Sequence, residues 1–139
     1  MVCPRVSNSL ALYKIVRPTA REERVFADAV AFARTLGLRV PPGVCEVYWV
    51  ISEPHEYPGM TYHRERPVRV YLKRGLSSDA LLETVFHELQ HVSDAQYPDM
   101  ERWQREDRAE RFADRAMGEW RKRRAGARDG LCPITHIRR

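Results

Sequence analysis

An α+β fold built as a single domain is what the 139-residue sequence predicts: a helix, then a small sheet of about three strands, then two more helices. Helical periodicity governs both ends of the chain, while the middle is rich in β-branched and aromatic residues and is broken by prolines and glycines. The length points the same way, since a chain of this size buries about two thirds of its unfolded surface around one core. We therefore read residues 1–139 as one domain, with about 126–139 as a basic C-terminal tail.

The first helix comes from "TAREERVFADAVAFARTLGL", in which Val25, Phe26, Ala29, Val30, Ala33 and Leu36 fall at helical spacing. Thr19 is available as its N-cap and Gly37 as its stop. After "RVPPG", the segment "VCEVYWVIS" predicts a strand over about 44–52. "EPHEYPGM" holds two prolines and a glycine and reads as a loop. "TYHRE" and "VRVYLK" read as two further strands divided by Arg66-Pro67. In the second of these, Val68, Val70 and Leu72 alternate with Arg69, Tyr71 and Lys73, the pattern of a half-buried strand. "SSDALLE" then carries a cap signal for a helix over about 78–96. "YPDM" turns the chain, Asp99 can cap the last helix, and "ERWQREDRAERFADRAMGEWRKRR" continues it to about residue 124.

Composition narrows the class. With 43% hydrophobic and 31% charged residues, the chain is ordinary for a soluble protein, and no apolar run approaches the ~20 residues of a membrane span. "MVCPRVSNSLALYKIVRP" lacks the long apolar region and small-residue cleavage site of a secretory signal, so the expectation is cytoplasmic, with no membrane partner. Cys3, Cys45 and Cys132 make no metal or disulfide framework and read as reduced thiols. A single Cys3–Cys132 bridge is the one pairing worth naming, and Cys132 with His136 supplies only two ligands. The net charge of +5 sits largely in "WRKRRAGARDG" and "HIRR", which permits weak nucleic-acid binding through the C-terminus. Cations near the negative pole of a helix need no partner, however.

The chemistry is concentrated in "FHELQHV", residues 86–92. His87 and His91, four apart, stand one above the other on a helix, so both imidazoles can reach one ion. Leu82, Val85, Phe86, Leu89 and Val92 gather on the other side as an apolar back. Glu88 points beside the metal position, where a carboxylate can take a proton from a metal-activated water. Zinc with three protein ligands and one water suits such chemistry. The third ligand does not follow the metzincin spacing, because six residues beyond His91 stands Tyr97 and no glycine occupies position 94. "EDRAERFAD" on the next helix instead offers Glu106 and Glu110.

"HELQH" followed by "EDRAERFA" resembles the gluzincin metallopeptidases, closest in pattern to the ImmA/IrrE family, over about 72–117. The resemblance implies a minimal zincin-like fold, zinc as cofactor and an intracellular endopeptidase acting on a protein or peptide substrate. It also implies Glu106 as third ligand, with Ala109, Phe112 and Ala113 at the small and aromatic positions and Glu110 where Asp or Asn is usual. "ERFAD" from Glu110 fits a second register. A turn at Pro98 and Asp99 brings the returning helix level with His91 near Glu106, which favours that residue and leaves Glu110 as the alternative.

His63, Tyr71 and Tyr97 are candidate substrate or transition-state contacts, as is His55, and "VRVYL" is a candidate edge for an extended peptide. Two rival readings remain: a nucleic-acid-associated protein on the same scaffold, and a metal-binding structural or regulatory domain without turnover.

Overall fold

A computed structural model of the chain describes residues 13–40, 43, 45–52 and 57–131. His55, Cys3, Cys132 and His136 lie outside them. The elements are β1 (Tyr13–Val16), α1 (Ala20–Thr35), β2 (Cys45–Ser52), β3 (Gly59–Tyr62), β4 (Val68–Lys73), α2 (Ser78–Asp94) and α3 (Arg102–Leu131). The class is mixed α+β, as the sequence predicts, with three helices and a four-stranded sheet among the described residues.

The strand order is β1-β2-β4-β3. β2 and β4 run parallel, with Trp49 opposite Leu72 and Val47 opposite Val70, and both outer pairings are antiparallel. Two expectations are corrected here. The sheet has four strands because β1 pairs with β2, Ile15 against Val50. Lys14 and Ile15 are both exposed, so β1 lacks the burial alternation that marks a strand in sequence; backbone bonds hold it. In addition, β4 is interior and β3 is the edge, so "VRVYL" has no free side for a peptide.

The alternation of side chains divides the sheet into two faces. Val47, Trp49, Val68, Val70 and Leu72 join the helices in one core, whereas Val50, Tyr71, Tyr48 and Tyr62 cluster separately. Three helices meet through aromatic rings, Phe32 to Phe86 at 6.0 Å, Phe86 to Phe112 at 6.1 Å and Phe32 to Trp120 at 5.2 Å. The apolar back expected of α2 is all in this core.

Caps set the helix limits. Thr19 and Glu22 form a reciprocal capping box at the start of α1, and Gly37, at φ 94°, ends the turn after it. The Glu22 carboxylate is 1% exposed and also accepts from the Gly75 amide at 2.8 Å and pairs with Arg74 at 2.6 Å. Burial pushes its pKa up, but the Thr19 and Gly75 amides and the Arg74 guanidinium outweigh burial and hold it below the usual carboxylate value. α1 is thereby tied to the turn that leads into α2.

Ser77 caps α2, which stops at Asp94, two residues before the expected end. Guanidinium groups take the freed carbonyls there: Arg105 donates to Asp94 O at 3.0 Å and to Tyr97 O at 2.5 Å, and Arg66 donates to Ala95 O at 3.1 Å. Asp99 does not cap α3. The first helical bond runs from Arg105 N to Glu101 O, and the Gln104 side chain returns to the Glu101 amide at 3.0 Å, so Glu101 takes the capping place. α3 continues through "AGARDG" to Leu131 instead of ending near residue 124, because nothing in that stretch breaks a helix as proline would.

Candidate metal centre

α2 and α3 lie side by side and run in opposite directions, so the return of the chain brings Glu106 level with the paired histidines. His87 Nε2 lies 3.4 Å from Glu106 Oε1 and His91 Nε2 lies 3.2 Å from Glu106 Oε2. The two imidazoles stand 5.0 Å apart between ring centroids, inclined at 70°. One donor atom from each of the three residues lies within 4.8 Å of the others. Ligands at ~2.1 Å around a tetrahedral ion would stand about 3.4 Å apart. Both contacts to Glu106 are near that figure, so His87, His91 and Glu106 could hold a metal ion.

The electrostatics favour ligation. Burial holds His91 below the ordinary histidine pKa, although Glu106 pulls the other way. A neutral imidazole is the ligating form. Glu106 is the exposed member of the group, at 56% of its side chain. Glu110 is exposed and stands outside the three-residue group, so the register with Glu106 is the one the fold assembles.

Glu88 is 6% exposed. Burial pushes its carboxyl up to about 7, with Glu106 adding to the rise and the Thr61 hydrogen bond and His87 opposing it. Thr61 Oγ1 donates to Glu88 Oε1 at 2.6 Å. Two residues earlier on the same face of β3, Gly59 permits a close backbone approach. A Cβ there would stand 2.7 Å from Thr84 Cγ2 and 3.0 Å from Glu88 Oε2. Glycine is required by space and not by backbone angle.

These groups line a cleft of ≈ 1130 Å³ bounded by β3, α2 and the start of α3. A smaller cavity of ≈ 550 Å³ by the ends of α1 and α2 has no His, Cys, Asp or Glu in its lining. His87, Glu88, His91 and Glu106 all line the larger one.

The remaining candidates separate cleanly. His63 lies in the turn after β3 and not on a strand, and it does line the cleft. Its Nε2 is buried without a hydrogen-bond partner among the described residues, and burial, then Arg105, Arg64 and Arg66, lower its pKa. Tyr71 is on the wrong face: it stacks on Tyr48 at 5.2 Å, across the sheet from α2. Tyr97 is 49% exposed beyond α2 and does not line the cleft. Sequence reasoning passed over Gly59, Thr61 and Arg105. Gly59 carries only a loop signal in "YPGM", and Thr61 only an ordinary strand signal.

Comparison with models of known protein families, with curated proteins and with solved structures finds no match to this chain.

Proposed function

We propose that the chain is a small zincin-like metallopeptidase, with His87, His91 and Glu106 as zinc ligands and Glu88 as general base. The carrying observation is the Glu106 carboxylate set against both imidazoles, beside a buried carboxyl whose pKa is about 7. When bound, a zinc ion would supply a Lewis acid and make water acidic enough to be a nucleophile near neutral pH. Glu88 would take a proton from the attacking water and return it to the departing amine, while Thr61 donates to its Oε1 and fixes the carboxyl plane. His63 lines the same cleft, but its Nε2 is closed off from solvent, so its ring would have to turn outward before it could donate to a developing oxyanion. β3 is an edge strand among the described residues, and its outer side would give an extended substrate backbone a place to add. The "HELQH" and "EDRAERFA" segments resemble the gluzincin class, and ImmA/IrrE enzymes most, which agrees with this reading.

The test is Glu88→Gln. Metal content should stay near one ion per chain while cleavage of a generic unfolded protein falls by roughly a thousandfold, consistent with the general-base contribution. Cleavage that survives both this change and a chelator would sink the peptidase reading. Tight metal binding with no turnover in the wild type would leave a structural or regulatory metal domain instead.

A further inference from the structure

The cleft is electrically lopsided along its length. β3 follows α2: Gly59 packs on Thr84 and Glu88, Thr61 bonds Glu88, and His63 lies within the field of Arg105 beyond His91. At the end near the start of α2 the lining is Leu76, Ala80 and the acidic Glu83. At the other end it is Arg64, Arg102 and Arg105.

These guanidinium groups differ from the other arginines of the region. Arg108, Arg111 and Arg69 pair with Asp94, Asp107 and Glu46. Arg105 is 3% exposed and, among the described residues, bonds only the carbonyls of Asp94 and Tyr97. Among the described residues its charge meets no carboxylate in an ion pair, and it lines the cleft. Arg64 and Arg102 are exposed and make no hydrogen bond or ion pair with any described residue. Arg102 stands one helical turn before Glu106 and on the same face, so it looks along the cleft from beside the metal group.

Resting on the peptidase reading, we propose that the cleft selects peptides with acidic side chains on one flank of the scissile bond, received between Arg64 and Arg102. A planar guanidinium can pair a carboxylate through two parallel hydrogen bonds, which gives orientation as well as attraction. Arg105 supplies the buried background charge, and Glu83 at the far end repels the same acidic flank from the reverse placement.

Four peptides with one apolar centre test this, carrying Glu-Glu or Lys-Lys on the N-terminal or on the C-terminal side. Cleavage is measured with the zinc-loaded wild type, and binding by fluorescence anisotropy with Glu88→Gln. On one flank the Glu peptide should lead its Lys counterpart roughly tenfold in both rate and affinity, with the lead shrinking as salt rises. It should invert when Arg64→Glu and Arg102→Glu are combined.

Cleavage without an acidic lead would overturn the substrate class and leave the peptidase standing. Acid-selective binding with no cleavage of any peptide would sink the peptidase and leave the recognition. A lead that survives the charge reversal, in a variant with an unchanged melting curve, overturns the assignment to Arg64 and Arg102. Displacement of the Glu peptide by a single-stranded oligonucleotide would make the basic end a nucleic-acid groove, and would overturn the proposal as well.

Discussion

The Glu88 carboxyl sits where ionisation is costly, and that cost can be read in stability. In the metal-free protein its pKa rises from 4.5 to about 7. Below about pH 4.5 it is protonated in both folded and unfolded chains; between 4.5 and 7 only the unfolded chain releases the proton. Stability should therefore fall as pH rises through this window, by about 3 kcal/mol in all. Urea denaturation of the chelated protein at pH 5 and pH 8 measures the slope, which Glu88→Gln should remove. Because the Thr61 hydrogen bond lowers the pKa, Thr61→Val should carry the slope to higher pH. Glu22 acts with the opposite sign. Its pKa is lowered, so its contribution is present above about 4.5 and lost as pH falls.

Gly59 makes a second prediction at the same scale. Thr84 cannot retreat, since its hydroxyl bonds Ala80 O at 2.8 Å, and Glu88 is held by Thr61. Gly59→Ala should cost about 1–3 kcal/mol by overpacking, and most of the activity too, because the shifted group is the proposed base. An unchanged melting curve would show that β3 moves aside freely.

Between elements, the pairing of α2 with α3 decides whether Glu106 reaches the histidines. Asp94 is fully buried at the end of α2, and Arg108 grips both of its oxygens at 2.9 Å. Gln90 donates to the same carboxylate at 3.0 Å. Losing one partner of a buried pair costs about 3–5 kcal/mol; with Arg108 half exposed, Asp94→Ala should cost roughly 2–3 kcal/mol. Because Glu106 rides on α3, metal affinity should drop with it. A chelator competition that finds affinity unchanged would reduce the clamp to a stability device.

What the sequence revealed, and what it hid, divides by how local the cause is. His87, Glu88 and His91 follow from helical spacing within one element, and Glu106 follows from the length of a tight turn. Tyr71 was legible too, because it alternates with core-facing Val70 and Leu72 and so had to face away from α2. β1 was not, since its partner is far along the chain and its Lys14 and Ile15 are both exposed. Gly59 and Thr61 joined the candidate site only because β3 turns their face toward α2, a fact no local pattern contains.

Across the whole molecule, the helices cover one face of the sheet and the proposed ion joins α2 to α3 at the rim of that layer. A ligand that binds only the folded chain stabilises it by mass action, by about 2.7 kcal/mol at a hundredfold excess over Kd. For a chain of this length that corresponds to a rise in Tm of roughly 8–12 °C. Chelation should reverse the rise in the wild type and in Glu88→Gln, which keeps all three ligands. It should do nothing to His91→Ala or Glu106→Ala, whose melting curves ought to match with and without zinc. Glu110→Ala distinguishes the registers: it should melt like the wild type and keep the zinc shift. If Glu110→Ala lost the shift while Glu106→Ala kept it, the ligand would belong one turn further along α3, and the geometry around both imidazoles would need another explanation.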